Sequence, residues 1–287
     1  MTAPHLANSP TSRSRSSSHF GVSPFGTALT STHNSHVKQA RLLGARKARY
    51  RERAFLVEGV RLLEDAVSAG FFPERLFFDS SRLSEPLEQT IKHIAAHSTI
   101  VHDVPGSVIE MLGDTESPQG IIAIFRFPDL PIVVNDVAPL FVVTDGLKDP
   151  GNLGTLMRAA TAAGVHALFV SRDTVDPYSP KVIRAAMGAH FRLPLRQLDW
   201  DTPDPRLLSC GQLLAAEAGA FPAYDAVNWN LPSVLVVGSE ATGISERALR
   251  HVTGNVSIPL QGGVESLNAA VAGAVILFEA ARQRRTQ

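Results

Sequence analysis

The 287-residue chain has a single cysteine, Cys210. That excludes an intramolecular disulfide framework and any multi-cysteine zinc site, and a lone thiol fits a reducing compartment. Excess charge of either sign is also missing, since 27 Lys and Arg oppose 27 Asp and Glu. A uniformly basic nucleic-acid binder is thereby excluded, but a local basic patch is not. No run of about 18 apolar residues is present, so no membrane-spanning helix is expected. The chain does not have the low hydrophobicity and high net charge of wholesale disorder: 44% of its residues are hydrophobic, enough to bury a sizeable core. Neither Gly-x-Gly-x-x-Gly behind a strand nor Gly-x-x-x-x-Gly-Lys-Ser/Thr occurs. A nucleotide-dependent oxidoreductase and a P-loop NTPase are therefore disfavoured.

Acidic residues are missing from positions 1–37, which hold nine serines and show no apolar period. Such a stretch buries too little to offset its ordering entropy and is expected to be a disordered tail. Its acid-poor, Ser-rich character with Arg13 and Arg15 hints at an organellar transit segment, but two arginines are few and no amphipathic helix is visible. The composition then changes. Lys38, Arg41, Arg46, Lys47, Arg49, Arg51 and Arg53 crowd into sixteen residues against Glu52 alone. A helix is expected over 37–54, broken near Gly44. Its cations are either a solvated face or a surface for phosphates.

Strand and helix patterns alternate from Phe55 to Phe125, which predicts a compact α/β unit over 38–127. Pro128, Pro131 and Pro139 mark a linker over 128–138. A second unit, 139–287, has apolar strands at 140–144, 167–170, 213–216 and 234–237. Helices are expected between them and over 267–284. Runs this apolar predict a parallel sheet covered on both faces. Ligands of such sheets sit beyond the carboxyl ends of the strands.

Three polar, Gly-rich loops follow in this unit. The first is Thr144-Asp145-Gly146-Leu147-Lys148-Asp149-Pro150-Gly151-Asn152-Leu153-Gly154, with Asn152 a candidate helix cap and Arg158 six residues on. The second runs from Gly238 through Glu240 to Gly243, and the third from Ile258-Pro259-Leu260 through Gly262 to Ser266-Leu267-Asn268. Glycines either bring backbone close to a ligand or simply make turns; one such loop is a weak signal and three in order a strong one. His93 and His97, spaced i, i+4, have no carboxylate or cysteine pattern to complete a metal site, and none is expected.

These three loops resemble the motifs of the SpoU (TrmH-type) branch of the SPOUT RNA methyltransferases. Asn152, Gly154 and Arg158 behind Asp149-Pro150 match the first motif; Gly238, Glu240 and Gly243 match the second; Ile258, Pro259, Gly262, Ser266, Leu267 and Asn268 match the third. The likeness spans roughly 139–284. Ala241, Leu260 and Ala269-Ala270 depart from the family's usual residues, but none of these departures removes a polar group. More weakly, the basic helix and Phe55-Leu56-Val57-Glu58-Gly59 resemble the family's small substrate-binding domain, which is related to an RNA-binding ribosomal-protein fold.

The resemblance implies an α/β trefoil-knotted methyltransferase domain behind a small ribosomal-protein-like RNA-binding domain. It implies methyl transfer from S-adenosylmethionine to a ribose 2′-hydroxyl by a cytoplasmic homodimer, with no metal and no membrane. By the same resemblance, Arg158, Asn152, Glu240, Ser266 and Asn268 serve catalysis, and the three loops form the cofactor pocket, with Gly238, Ile258, Leu260 and Leu267 holding the cofactor. Lys38, Arg41, Arg46, Lys47 and Arg49 would contact RNA. The extra N-terminal domain points to large-subunit (23S) rRNA as substrate. The alternatives are tRNA, or a non-catalytic RNA-binding or ribosome-assembly factor on the same fold.

Overall fold

The computed structural model describes residues 27–29, 31–116, 118–134 and 138–285. The first part of the chain comprises β1 (Thr27–Ala28), α1 (Ser35–Leu42), α2 (Arg46–Glu52), β2 (Ala54–Glu58), α3 (Val60–Ser68), β3 (Arg75–Phe78), α4 (Glu85–Ala95), β4 (Ile100–Asp103), α5 (Gly106–Leu112) and β5 (Ile121–Arg126). Its five strands lie in the order β1-β4-β3-β5-β2, with β5 antiparallel to both neighbours and the other pairs parallel. Alternating side chains cover opposite faces. Phe55, Val57, Leu76, Phe78, Ala123 and Phe125 pack on one side, and Ala54, Phe77, Ile122 and Ile124 on the other.

The second part comprises β6 (Leu140–Asp145), α6 (Pro150–Ala162), β7 (Ala167–Ser171), α7 (Pro180–Ala186), β8 (Leu195–Leu198), α8 (Pro205–Leu208), β9 (Gln212–Ala216), β10 (Ser233–Gly238), α9 (Glu246–Leu249), β11 (Gly254–Val256) and α10 (Ala269–Arg285). The strands form a six-stranded sheet ordered β11-β9-β10-β6-β7-β8, parallel throughout. Leu140, Val142, Leu168, Val170, Leu235 and Val237 pack under α6, α7 and α10. Phe141, Val143, Phe169, Val234 and Val236 pack with Trp200, Leu207 and Cys210 on the reverse face. Neither face of the sheet is left to water, which explains the near-continuous apolar runs.

Two local expectations change and one is met. Ordered structure begins before Lys38: Thr27–Ala28 pairs with β4, Leu29 is buried, and the Asn34 side chain caps α1 by accepting from the His36 N–H at 2.8 Å. Residues 1–26 of the expected tail, and residue 30, lie outside the described residues. The basic stretch is broken near Gly44 as expected, into two helices with a turn at 43–45. The last helix starts at Ala269, because Asn268 occupies the capping position and its Oδ1 accepts from the N–H groups of Ala270 (3.0 Å) and Val271 (3.2 Å).

The two parts share a core. Tyr178, Ile183 and Phe191 of the second part pack into the cluster of Phe55, Phe125 and Leu63. Phe127 stacks on Tyr178 with ring centres 3.7 Å apart. Arg192 forks onto Asp65 at 2.6 and 2.8 Å, and Arg184 pairs with Asp114 at 2.8 Å. Among the described residues no helix is long and apolar enough to cross a membrane.

Candidate active site

At the carboxyl ends of β9, β10 and β11 lies a cavity of about 540 Å³. Val237 and Gly238 form its floor, the second loop one wall, and Ile258, Leu260, Ser266 and Leu267 the other; Ala272 and Ile276 of α10 close the back. The backbone of Gly238 runs so close to the second loop that a Cβ there would lie 2.5 Å from the carbonyl of Gly243. Ser239 and Gly243 exchange backbone hydrogen bonds at 3.0 and 2.9 Å, which folds this loop tightly on itself. A residue larger than Gly at 238 would have to displace the wall of the cavity.

Four residues expected at a cofactor site, Gly238, Ile258, Leu260 and Leu267, all line this cavity, as do Glu240, Ser266 and Asn268. The first loop does not line it, which corrects the expectation of a pocket made by all three loops. The third wall is instead Ala216, Glu217 and Ala218, just beyond β9. The sequence held a signal for these residues, since they follow a readable apolar strand, but the loop has none of the repeated glycines that marked the other three.

The first loop reaches the site through side chains. Asp149, rather than the expected Asn152, caps α6: its Oδ1 accepts from the Asn152 N–H at 2.7 Å, with Pro150 at the first helical position. The Asn152 side chain is thereby free to face the site. It donates from Nδ2 to Glu240 Oε1 and accepts at Oδ1 from Asn268 Nδ2 at 2.7 Å. One amide thus ties the helix starts of α6 and α10 to the second loop. The Asn268 end of this relay is fixed, since its Oδ1 is held by the α10 backbone.

Arg158 stands apart from that relay. Six residues at about 100° each turn it some 120° away from Asn152 around the helix. Arg158 is exposed, and among the described residues it makes no hydrogen bond or ion pair. Gly154, between them, is required by packing: a Cβ would come within 2.4 Å of Ala185 Cβ and 2.9 Å of Ala186 N on α7. The motif glycine therefore sets the α6–α7 approach and does not make a turn.

Asp145, at the end of β6, is buried and fixes the floor from below. It accepts from Trp200 Nε1 at 2.9 Å and from the Ser245 N–H at 2.7 Å. Nothing in the motif pattern singled it out.

The basic residues of α1 and α2 divide. Lys38, Arg41, Arg46 and Lys47 are exposed, and none is ion-paired among the described residues. Arg49 is the exception, and its expected place on an RNA-facing surface is corrected. It is 4% exposed and donates from Nε (3.1 Å) and Nη2 (2.5 Å) to Asp176 Oδ2, and from Nη1 to the carbonyls of Leu43 (2.8 Å) and Gly44 (2.7 Å). Four of its five N–H donors are spent inside the protein. Beside it, burial and then the Asp176 carboxylate push the Tyr50 hydroxyl up to about 12.

His97 stacks on Phe72 at 3.8 Å. Among the described residues no group of three or more His, Cys, Asp or Glu could hold a metal ion.

The chain is similar in sequence and fold to known proteins. Residues 139–278 match the SpoU rRNA methylase family, and residues 34–123 match the MRM3-like substrate binding domain. An uncharacterised tRNA/rRNA methyltransferase of Synechocystis is 35% identical over 90% of this chain and 94% of its own length. A 23S rRNA (guanosine(2553)-2′-O)-methyltransferase of Bacillus subtilis is 31% identical over 87% of this chain and 97% of its own. The solved structure of the SpoU methyltransferase AviRb from Streptomyces viridochromogenes, in complex with the cofactor AdoMet, superposes with a TM-score of 0.77 at 30% identity, covering 88% of this chain and 99% of that one. With the second and third motifs lining one cavity, Asn152 of the first bonded to both, and relatives aligned almost end to end, the chain belongs to the SpoU rRNA methylase family.

Proposed function

We propose that the protein transfers a methyl group from S-adenosylmethionine to a ribose 2′-hydroxyl of large-subunit (23S) rRNA. The observation that carries this reading is the Glu240–Asn152–Asn268 relay at the mouth of the cavity. It fixes polar groups of all three motifs beside a pocket of the size small cofactors occupy, about 300–1,000 Å³. The residues fit the cofactor. Gly238 lets the second loop close tightly as one wall, Ile258, Leu260 and Leu267 supply apolar contact, and backbone groups beside them supply hydrogen bonds. When bound, S-adenosylmethionine supplies a methyl group already activated by its sulfonium.

The chain must align the ribose oxygen and manage charge. Alignment alone lowers barriers by several kcal/mol, up to about 7–11 in ideal systems. Asn152 and Asn268, locked to each other, orient the ribose, and Glu240 anchors Asn152. A guanidinium stays protonated in proteins, so Arg158 serves as a fork for the phosphate beside the target ribose. Ser266, exposed at the rim, hydrogen-bonds near the transferred group. Lys38, Arg41, Arg46 and Lys47 hold the RNA backbone.

The same reading includes the trefoil knot of the family, a cytoplasmic location and a homodimer. Support for the dimer is the stripe on α10 where Val271 and Phe278 are 46% and 47% exposed, beside the helix that bears Arg158. A monomer mass in sedimentation would remove the dimer from this account.

The substrate class is tested by incubating the protein with labelled S-adenosylmethionine and total RNA from cells lacking its gene. Label is expected in large-subunit rRNA. Label confined to tRNA would overturn the substrate assignment and keep the chemistry. No label together with no cofactor binding would favour a non-catalytic RNA-binding protein.

A further inference from the structure

The buried carboxylate of Asp176 serves no step in this mechanism, yet it is the most heavily partnered acid in the seam between the two sheets. Its Oδ2 takes two donors of Arg49, and its Oδ1 accepts from the Tyr50 hydroxyl at 3.1 Å and from the Tyr178 N–H at 3.0 Å. Arg49 and Tyr50 belong to α2, the helix that also carries the exposed Arg46 and Lys47. Arg49 additionally clamps the α1–α2 turn through the carbonyls of Leu43 and Gly44. The basic face as a whole is therefore anchored at Asp176.

The other side of Asp176 leads to the site. At the end of β7 and in the loop after it, Ser171 Oγ and Thr174 Oγ1 accept from the Gly146 N–H at 3.0 and 3.1 Å, and Thr174 Oγ1 donates to the Thr144 carbonyl at 2.9 Å. The Val175 N–H donates to the Leu147 carbonyl at 2.8 Å, and Lys148 Nζ donates to the Asp173 carbonyl at 2.5 Å. These bonds hold residues 144–148, and the next residue, Asp149, caps the helix that presents Asn152. Hydrogen bonds joined by short stretches of covalent backbone, at 46–50, 175–176 and 148–149, thus link the exposed cations of α2, through Asp176, to the amide at the centre of the relay.

We propose that Asp176 is a positioning residue: with Arg49 and Tyr50 it fixes the basic face of the N-terminal part at one distance and angle from the methyl-transfer site, so that RNA held by that face presents a single ribose. The inference rests on the methyl-transfer reading above. Substitution at the seam leaves the phosphate-holding cations and the cofactor cavity in place, so it lowers turnover without weakening RNA binding. Removing the cations themselves would do the reverse and raise KM.

The test compares wild-type protein with Asp176→Asn, Arg49→Lys and Tyr50→Phe. Labelled S-adenosylmethionine and purified large-subunit rRNA are the substrates; kcat, KM for RNA, cofactor affinity and melting temperature are measured. For Asp176→Asn a fall in kcat of about tenfold or more is expected, with KM for RNA and cofactor affinity changed by less than about twofold. Arg49→Lys keeps the charge but loses the fork, and falls between wild type and Asp176→Asn. Tyr50→Phe, which removes one hydroxyl, lowers kcat measurably. Unchanged kcat in the folded variants overturns the proposal, as does a fall in kcat matched by loss of cofactor binding. If Asp176→Asn does not fold, Tyr50→Phe decides, and a wild-type kcat there overturns the proposal. A wild-type protein that transfers no methyl to RNA brings down the underlying reading and this inference with it, an outcome separate from any difference among variants.

Discussion

Asn152 is committed at both ends of its side chain, donating to Glu240 and accepting from Asn268. That arrangement needs an amide, because a carboxylate could only accept and would face Glu240 with like charge. Asn152→Asp is expected to lower kcat by about 10²-fold, the scale of a misplacement near 1 Å, with melting little changed; kcat near wild type would mean the relay is incidental to turnover. A second residue-scale consequence concerns pH. His190 is fully buried against Phe55 and Tyr178, with Asp176 nearby, and its Nε2 lies 2.7 Å from the Pro177 carbonyl. Burial outweighs both the carbonyl and Asp176 and pushes the imidazole down to about 4. Between that value and the unfolded value near 6.5, the unfolded chain binds the extra proton, so stability falls as pH falls through this window. About 2 kcal/mol is expected to disappear between pH 7 and pH 5. His190→Gln, which keeps a donor for Pro177, is expected to show a smaller drop in urea midpoint over that range; equal drops would contradict the assignment.

At the scale of elements, the sequence reads well where one physical signal dominates. Strands β6, β7 and β10 were legible because burial on both faces makes them continuous apolar runs. Strands β8 and β11 were not: Leu195–Leu198 has two adjacent polar residues, Arg196 and Gln197, at its centre, Gly254–Val256 is three residues long, and both lie at sheet edges. The start of α10 was misplaced by two residues because apolarity begins at Leu267 while the cap is Asn268. In the basic stretch, charge alone could not tell Arg49 from its neighbours, because its partner Asp176 lies 127 residues away. The four exposed cations remain the candidates for RNA contact. Neutralising Lys38, Arg41, Arg46 and Lys47 together is expected to weaken RNA binding and flatten its log–log salt dependence by about 3, at 0.7–0.9 per phosphate contact. An unchanged slope would return these residues to an ordinary solvated face.

The molecule as a whole is stitched across its two sheets by Tyr178, Ile183 and Phe191 in the N-terminal core and by three arginine–aspartate pairs. Motif order in the sequence named two walls of the cavity and missed the third at Ala216–Ala218, and it carried no trace of this seam, which depends on contacts between distant segments. Both tryptophans, Trp200 and Trp229, are buried in the second part of the chain. Their fluorescence therefore follows that part, while far-ultraviolet circular dichroism follows both. A shared core predicts that the two urea transitions coincide; an earlier, separate loss of helical signal would show that the parts unfold independently.

The most direct test of the account is the position of the methyl group on the product. Labelled rRNA made by the protein is hydrolysed in alkali, which needs a free 2′-hydroxyl to cut each linkage. The account predicts that the label stays in one alkali-resistant dinucleotide, and that Arg158→Ala abolishes it while cofactor binding persists. Label recovered in ordinary mononucleotides would place the methyl on a base and contradict the account.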